Sequence, residues 1–231
     1  MLLIRTSASC VESRQEESAH DTARRFVQNG EQLLAVITES LVRLEETLHG
    51  ETPARIFLWD VISIGEGEKR YRPKDESSLS NYVKLHLERD LKQRGIIVLR
   101  EVEIRHAAGG GPGERIDLYV DAFVPGPDHT RIDVLTVIIE VKGCWHREVN
   151  TAMRTQLVER YLRDNPSRHG LYLVGWFNCP QWDPDDRRKD NAPQIALEEA
   201  RARFTQQAEA LGASLEGRHL VKSFVLDTAL R

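Results

Sequence analysis

The segment IDVLTVIIEVK, residues 132–142, constrains the fold of this chain more than any other. Its aliphatic and β-branched residues fall on both faces of an extended strand, and a strand that is apolar on both faces belongs in the middle of a sheet covered on both sides. Glu140 and Lys142 interrupt it two residues apart, so both project from one face. Each carries a desolvation cost in such a place unless it is paired or bound to something.

Around this strand the chain alternates helical and extended patterns. SSLSNYVKLHLERDLKQRG carries Leu79, Tyr82, Val83, Leu87 and Leu91 on one stripe, with Asp75 or Ser77 as N-cap and Gly95 as the stop. IIVLREVEIR (96–105) and IDLYVDAFV (116–124) read as strands, joined by the hairpin loop HAAGGGPGER, and PGPDHTR turns the chain into 132–142. A helix over about 147–163 and a buried strand GLYLVGWF (170–177) complete the order α-β-β-β-α-β, which predicts a mixed α/β core. A charged loop, NCPQWDPDDRRKDN, then leads to a helix near 193–211 and a last strand, HLVKSFVLD. Upstream, Leu33, Leu34, Ile37, Leu41, Leu44 and Leu48 form one amphipathic helix ended by Gly50, and ARIFLWDVISIGEGEKRYRPKDE reads as a link bent at Gly65, Gly67 and Pro73. A length of 231 residues suits one domain with elaborations, or two small ones. The expected parts are an N-terminal helical extension (1–69), a core (70–180), and a C-terminal loop, helix and strand packed on it (181–231). A start without any motif would also suit a fragment of something longer.

Charge and cysteines narrow the classes. A net charge of -4 and a pI near 6.1 give no global basic field, so a polyanion would need a local patch. Three cysteines without a CxxC spacing argue against a disulfide framework and a thiolate zinc site. The apolar run in MLLIRTSASC is too short for a signal peptide and no stretch has the length of a membrane span, so a cytoplasmic location is expected. The glycine-rich loop lacks GxxxxGK[ST] and a strand-to-helix context, which argues for a plain loop over a phosphate-binding one.

The chemistry lies in the acids. Asp117, Tyr119 and Asp121 share one face of their strand by the same alternation, and if that strand pairs with 132–142, carboxylates outnumber Lys142. A Glu140–Lys142 salt bridge is one answer to the buried charges. A hard divalent cation held by oxygen ligands is the other, and Mg²⁺ or Mn²⁺ suits Asp and Glu better than zinc does. Such a cation beside a lysine is suited to phosphodiester hydrolysis: the metal polarises the phosphoryl oxygen, and Lys142 orients water and offsets charge. Gly143, lacking a Cβ, would let a backbone approach closely.

Asp117 on one strand and Glu140-Val141-Lys142 on the next, followed by a helix and a strand, resemble the PD-(D/E)XK nuclease superfamily over roughly residues 70–180. The resemblance implies a restriction-endonuclease-like core, a central mixed β-sheet flanked by helices. It also implies that Asp117, Glu140 and the Val141 carbonyl bind Mg²⁺, with Mn²⁺ able to substitute, while Lys142 assists the attacking water. Asp121 is an alternative to Asp117. Ile116 stands where the motif has Pro, and the gap of 23 residues to Glu140 is long. Some members add an acid on the first core helix and a Gln after ExK, roles that fall here to Glu76 and Gln156. Gln156 shares a face with Ala152, Met153 and Tyr161 by α-helical spacing. Tyr161 follows Gln156 by five residues where the RecB-like Gln–Tyr motif has four, and is assigned to the core. Arg147, Arg154 and Arg160 give the helix after ExK a basic side, either solvated or set against phosphates. The implied protein is a nuclease preferring DNA to RNA, similar to domains of bacterial defence proteins. A homodimer and further domains beyond this chain stay open. The competing readings are a non-catalytic nucleic-acid or protein-binding module on the same fold, and a hydrolase of another phosphoester.

Overall fold

The computed structural model describes residues 27–65, 67–105, 114–125, 132–215 and 219–231. The glycine-rich loop and the PGPDHTR turn, except at their ends, lie outside the described residues, as does Cys10. Five strands form one mixed sheet in the order β3-β4-β5-β6-β7: β3 (Ile96–Arg105), β4 (Glu114–Pro125), β5 (Ile132–Gly143), β6 (His169–Trp176) and β7 (Leu220–Asp227). β3, β4 and β5 pair antiparallel, whereas β5, β6 and β7 run parallel. β5, which carries Glu140 and Lys142, is thus central, at the junction of the two halves.

Helices cover the sheet. α1 (Gly30–His49) is capped by Asn29, whose side chain accepts the Gln32 N–H, while the Gln32 side chain accepts the Gln28 N–H. Its six stripe residues, Leu33 to Leu48, are all buried in the core they share with the sheet. The predicted N-terminal extension therefore contains a helix that belongs to that core. α2 (Glu76–Asp90) is capped by Asp75 through the Ser78 N–H, and Gly95 in the left-handed region (φ 68°) ends the turn that follows. Leu79 of α2 lies against Gly175, where a Cβ would come within 2.6 Å of it. On the opposite face, Leu157 and Leu162 of α3 (Met153–Leu162) lie against Gly170, and Phe204 of α4 (Leu197–Ser214) packs on Tyr172.

Four expectations need correction. The helix expected over 147–163 is a run of turns followed by the π-helix Met153–Leu162. A π-helix widens the turn, which accounts for buried pairs at Ala152–Met153, Leu157–Val158 and Tyr161–Leu162. The link before α2 contains an antiparallel hairpin, β1 (Trp59–Gly65) and β2 (Glu68–Pro73), with Gly65 and Gly67 both at positive φ. β5 is covered on both faces only from Val137 onward: Ile132 and Val134 are exposed, together with Ile97, Leu99 and Phe123 on the same face of the β3–β4 half. The helix near 193–211 begins later, at Leu197.

Candidate active site

β4 and β5 stay in register down to the Leu118–Ile139 pair, and there the ladder ends. Asp117 and Glu140 are the next residues on either strand. Beyond this point the N–H groups of Val141 and Gly143, which alternate along β5, face the side that β4 has left. Two carboxylates take them: Asp117 Oδ2 accepts from Val141 N at 2.8 Å, and Glu76 Oε1, from the first turn of α2, accepts from Gly143 N at 2.9 Å. The end of the antiparallel ladder thus draws acids from three elements to one place. Asp121 lies four residues up β4, about 13 Å along the strand, opposite Thr136, whose hydroxyl donates to it at 2.6 Å. The register separates it from Glu140.

Glu140 is 1% exposed and Lys142 7%. Lys142 Nζ donates to Glu140 Oε1 in a close contact, and among the described residues Glu140 Oε2 is buried with no hydrogen-bond partner. Burial, then the Asp117 charge, pushes the Glu140 carboxyl up to about 8 against the pull of Lys142. Burial alone would lower Lys142, but Glu140 and Asp117 outweigh it and hold the ammonium above its ordinary value. Burial also raises Glu76, opposed by Lys142, the Gly143 N–H and His146. Three carboxylates thus surround one buried ammonium, and a proton is retained near neutrality unless another cation arrives.

A hard cation fits this donor chemistry. All side-chain donors are carboxylate oxygens, and an orphaned buried carboxylate oxygen is the feature an additional cation would relieve. As the side chains stand, however, the described residues contain no group of three or more His, Cys, Asp or Glu arranged to hold a metal ion. Asp117 and Glu140 with the Val141 carbonyl are the nearest set, with Glu76 beside them.

The remaining sequence candidates divide. The Gln156 side-chain amide donates to Glu148 Oε2 at 2.7 Å, so it turns outward from the cluster. Tyr161 is buried, as expected of a core residue, and its hydroxyl donates to the Arg115 carbonyl at 2.9 Å. Burial, then Glu140 and Asp117, raises its pKa. Tyr172, which no motif marked, pairs with Glu140 across β5 and β6 and donates to the Val149 carbonyl at 2.7 Å. Burial and the same acids keep its phenol neutral. Gly143 is corrected in its role: a Cβ there would meet the Trp145 indole at 2.5 Å, so the glycine admits a side chain of this protein rather than a foreign backbone. Trp145 packs edge-on against Phe177 (4.8 Å) and Trp182 (5.9 Å), with the Arg188 guanidinium 5.2 Å from its ring centre. Arg147 and Arg154 are exposed, whereas Arg160 is half-buried.

No family model, curated protein or solved structure matches this chain. Among the described residues, no helix is long and apolar enough to cross a membrane.

Proposed function

We propose that the protein is a metal-dependent phosphodiesterase acting on nucleic acid, DNA ahead of RNA, with a PD-(D/E)XK-type core. The reading rests on one observation above the others: Glu140, buried beside Asp117 and Lys142, keeps an oxygen without a partner among the described residues and a carboxyl raised to about 8. A structural ion pair has no need of the surplus acids, whereas a cation site does. Asp117, Glu140 and the Val141 carbonyl would hold Mg²⁺ or Mn²⁺, with Glu76 adjoining. When bound, the ion supplies Lewis-acid polarisation of a phosphoryl oxygen and a more acidic water. Lys142, anchored through Glu140, has N–H donors left to orient the attacking water and to offset the negative charge that grows on the phosphoryl group. Glu76 and Asp117 hold the β5 backbone in place through Gly143 and Val141, so the lysine and Glu140 sit on a fixed strand end. Tyr161 and Tyr172, both neutral, are buried nearby with their hydroxyls tied to backbone carbonyls.

A second reading draws on the Lys142–Glu140 contact and on the lack of a converged group of metal donors among the described residues. It makes the pair structural, in a binding module that keeps the fold. Purified protein incubated with supercoiled plasmid, single-stranded DNA and RNA, in Mg²⁺, Mn²⁺ or EDTA, separates the two. Cleavage is expected only with metal, abolished in Glu140→Ala and reduced by at least about 10²-fold in Lys142→Ala. Full activity in Glu140→Ala would end the nuclease reading. Mn²⁺ is also expected to raise the Tm of the wild type. A metal-insensitive wild type, with Glu140→Gln destabilised by on the order of 3 kcal/mol or more, would establish the structural pair instead.

A further inference from the structure

Past the end of β5 lies a cavity of about 630 Å³, and three of its lining residues are arginines: Arg147, Arg187 and Arg188. It adjoins the carboxylate cluster. Trp145 in its wall folds back over Gly143, and His146, also in its wall, is near enough to Glu76 to favour the ionised carboxylate.

The three arginines are not equivalent. Arg188 is committed: its Nε and Nη2 donate to Asp186 at 3.1 and 2.8 Å, and its guanidinium covers the Trp145 ring. Arg147 and Arg187 are exposed and have no hydrogen bond or ion pair among the described residues. Among the described residues the one acid in the lining, Glu148, has Oε2 taken by Gln156. A chain with a net charge of -4 thus carries uncompensated guanidinium groups beside its acidic cluster. Guanidinium forks match the paired oxygens of a phosphate. The Trp145 ring, 8% exposed beneath Arg188, offers no free face for a base.

We propose that this cavity is an anion subsite gripping the sugar–phosphate backbone of a nucleic-acid strand beside the bond to be cut, with Arg147 and Arg187 as the contacts. The inference rests on the phosphodiesterase reading of the neighbouring cluster. Contacts to phosphate alone position a strand without reading its sequence, so the subsite is indifferent to base identity. It adds Arg187, from the loop after Trp182, to the Arg147 contact, whereas Arg154 and Arg160 of α3 do not line this cavity.

Binding without cleavage tests it. The full chain is titrated in EDTA against a fluorescein-labelled DNA duplex of about 20 base pairs and its single strand, by anisotropy, across about 50–300 mM KCl. Arg147→Gln with Arg187→Gln is expected to bind about tenfold or more weakly, with a log–log salt slope about one to two units shallower than the wild type. Its Tm should match the wild type, since both side chains are exposed. Arg147→Lys with Arg187→Lys should keep the slope and recover part of the affinity. Unchanged affinity and slope in the Gln pair, a larger loss in Arg154→Ala with Arg160→Ala, or a wild type that binds neither probe would each overturn the proposal. Metal-dependent cleavage by a wild type whose Gln pair binds normally would sink this inference and leave the phosphodiesterase reading standing. Lost binding in the Gln pair, with no cleavage by the wild type in any metal, would sink the phosphodiesterase reading and leave the cavity standing as a strand-binding anion site without a bond to be cut beside it.

Discussion

Asp117 serves the fold before it serves any chemistry. Its Oδ2 accepts the Val141 N–H stranded where β4 leaves β5, and removing the acceptor from a buried donor costs about 1–3 kcal/mol. Asp117→Asn keeps a carbonyl oxygen in that place. Asp117→Ala should therefore melt below Asp117→Asn in EDTA, although neither should cleave; equal melting of the two would remove the capping role. Glu140 carries a second prediction, with its sign fixed by the direction of its shift. Folding raises its pKa from 4.5 to about 8, so the folded state binds the proton more tightly, and stability falls as pH rises between these values, by on the order of a few kcal/mol. Melts in EDTA should show the wild type losing stability relative to Glu140→Gln from pH 5 to pH 8. A gap between the two that stays constant with pH would contradict the shift. The alternation of β4 and the spacing of Glu140 and Lys142 made these residues legible in the sequence. The backbone donors that Asp117 and Glu76 satisfy were not, because where a ladder ends is a matter of register, which no single strand encodes.

At the scale of elements, legibility followed burial. α1, α2 and the five sheet strands announced themselves because each buries a stripe or a face, and periodicity records burial. The β1–β2 hairpin was hidden for the opposite reason: β1 buries only Trp59, and the rest of that strand is exposed or half-buried. What holds it lies far along the chain, where Asp183 accepts from Arg70 at 3.0 Å and Arg72 at 2.7 Å and its own N–H donates to the Tyr71 carbonyl. Asp183→Ala should therefore speed amide exchange over residues 59–73 by about tenfold or more while leaving β5 and β6 protected. Uniformly faster exchange across the sheet would mean that the hairpin and the sheet open as one unit. α3 failed in another way. Read at 3.6 residues per turn, Gln156 falls inward with Met153; in the wider π-helix it swings out to Glu148. Nothing in MRTQLVERYL marks the change of period.

For the whole molecule, the decisive feature is that α1 and the sheet share one core. Its six buried leucine and isoleucine side chains cover the sheet, so a chain begun at residue 51 should lose cooperative melting rather than yield a trimmed but folded core. A sharp thermal transition in that shortened protein would show that the helix is dispensable. The charge of -4 belongs to the same scale: attraction to a polyanion must be local and should fade steeply with added salt. The seating of Trp145 over Gly143, in contact with Trp182 and near Arg188, has a practical consequence. This indole is 8% exposed against 0–2% for Trp59, Trp176 and Trp182, and it forms a wall of the arginine-lined cavity. The protein therefore carries its own optical probe at the mouth of its site, and changes in ultraviolet emission can follow occupancy of the cavity without any attached dye.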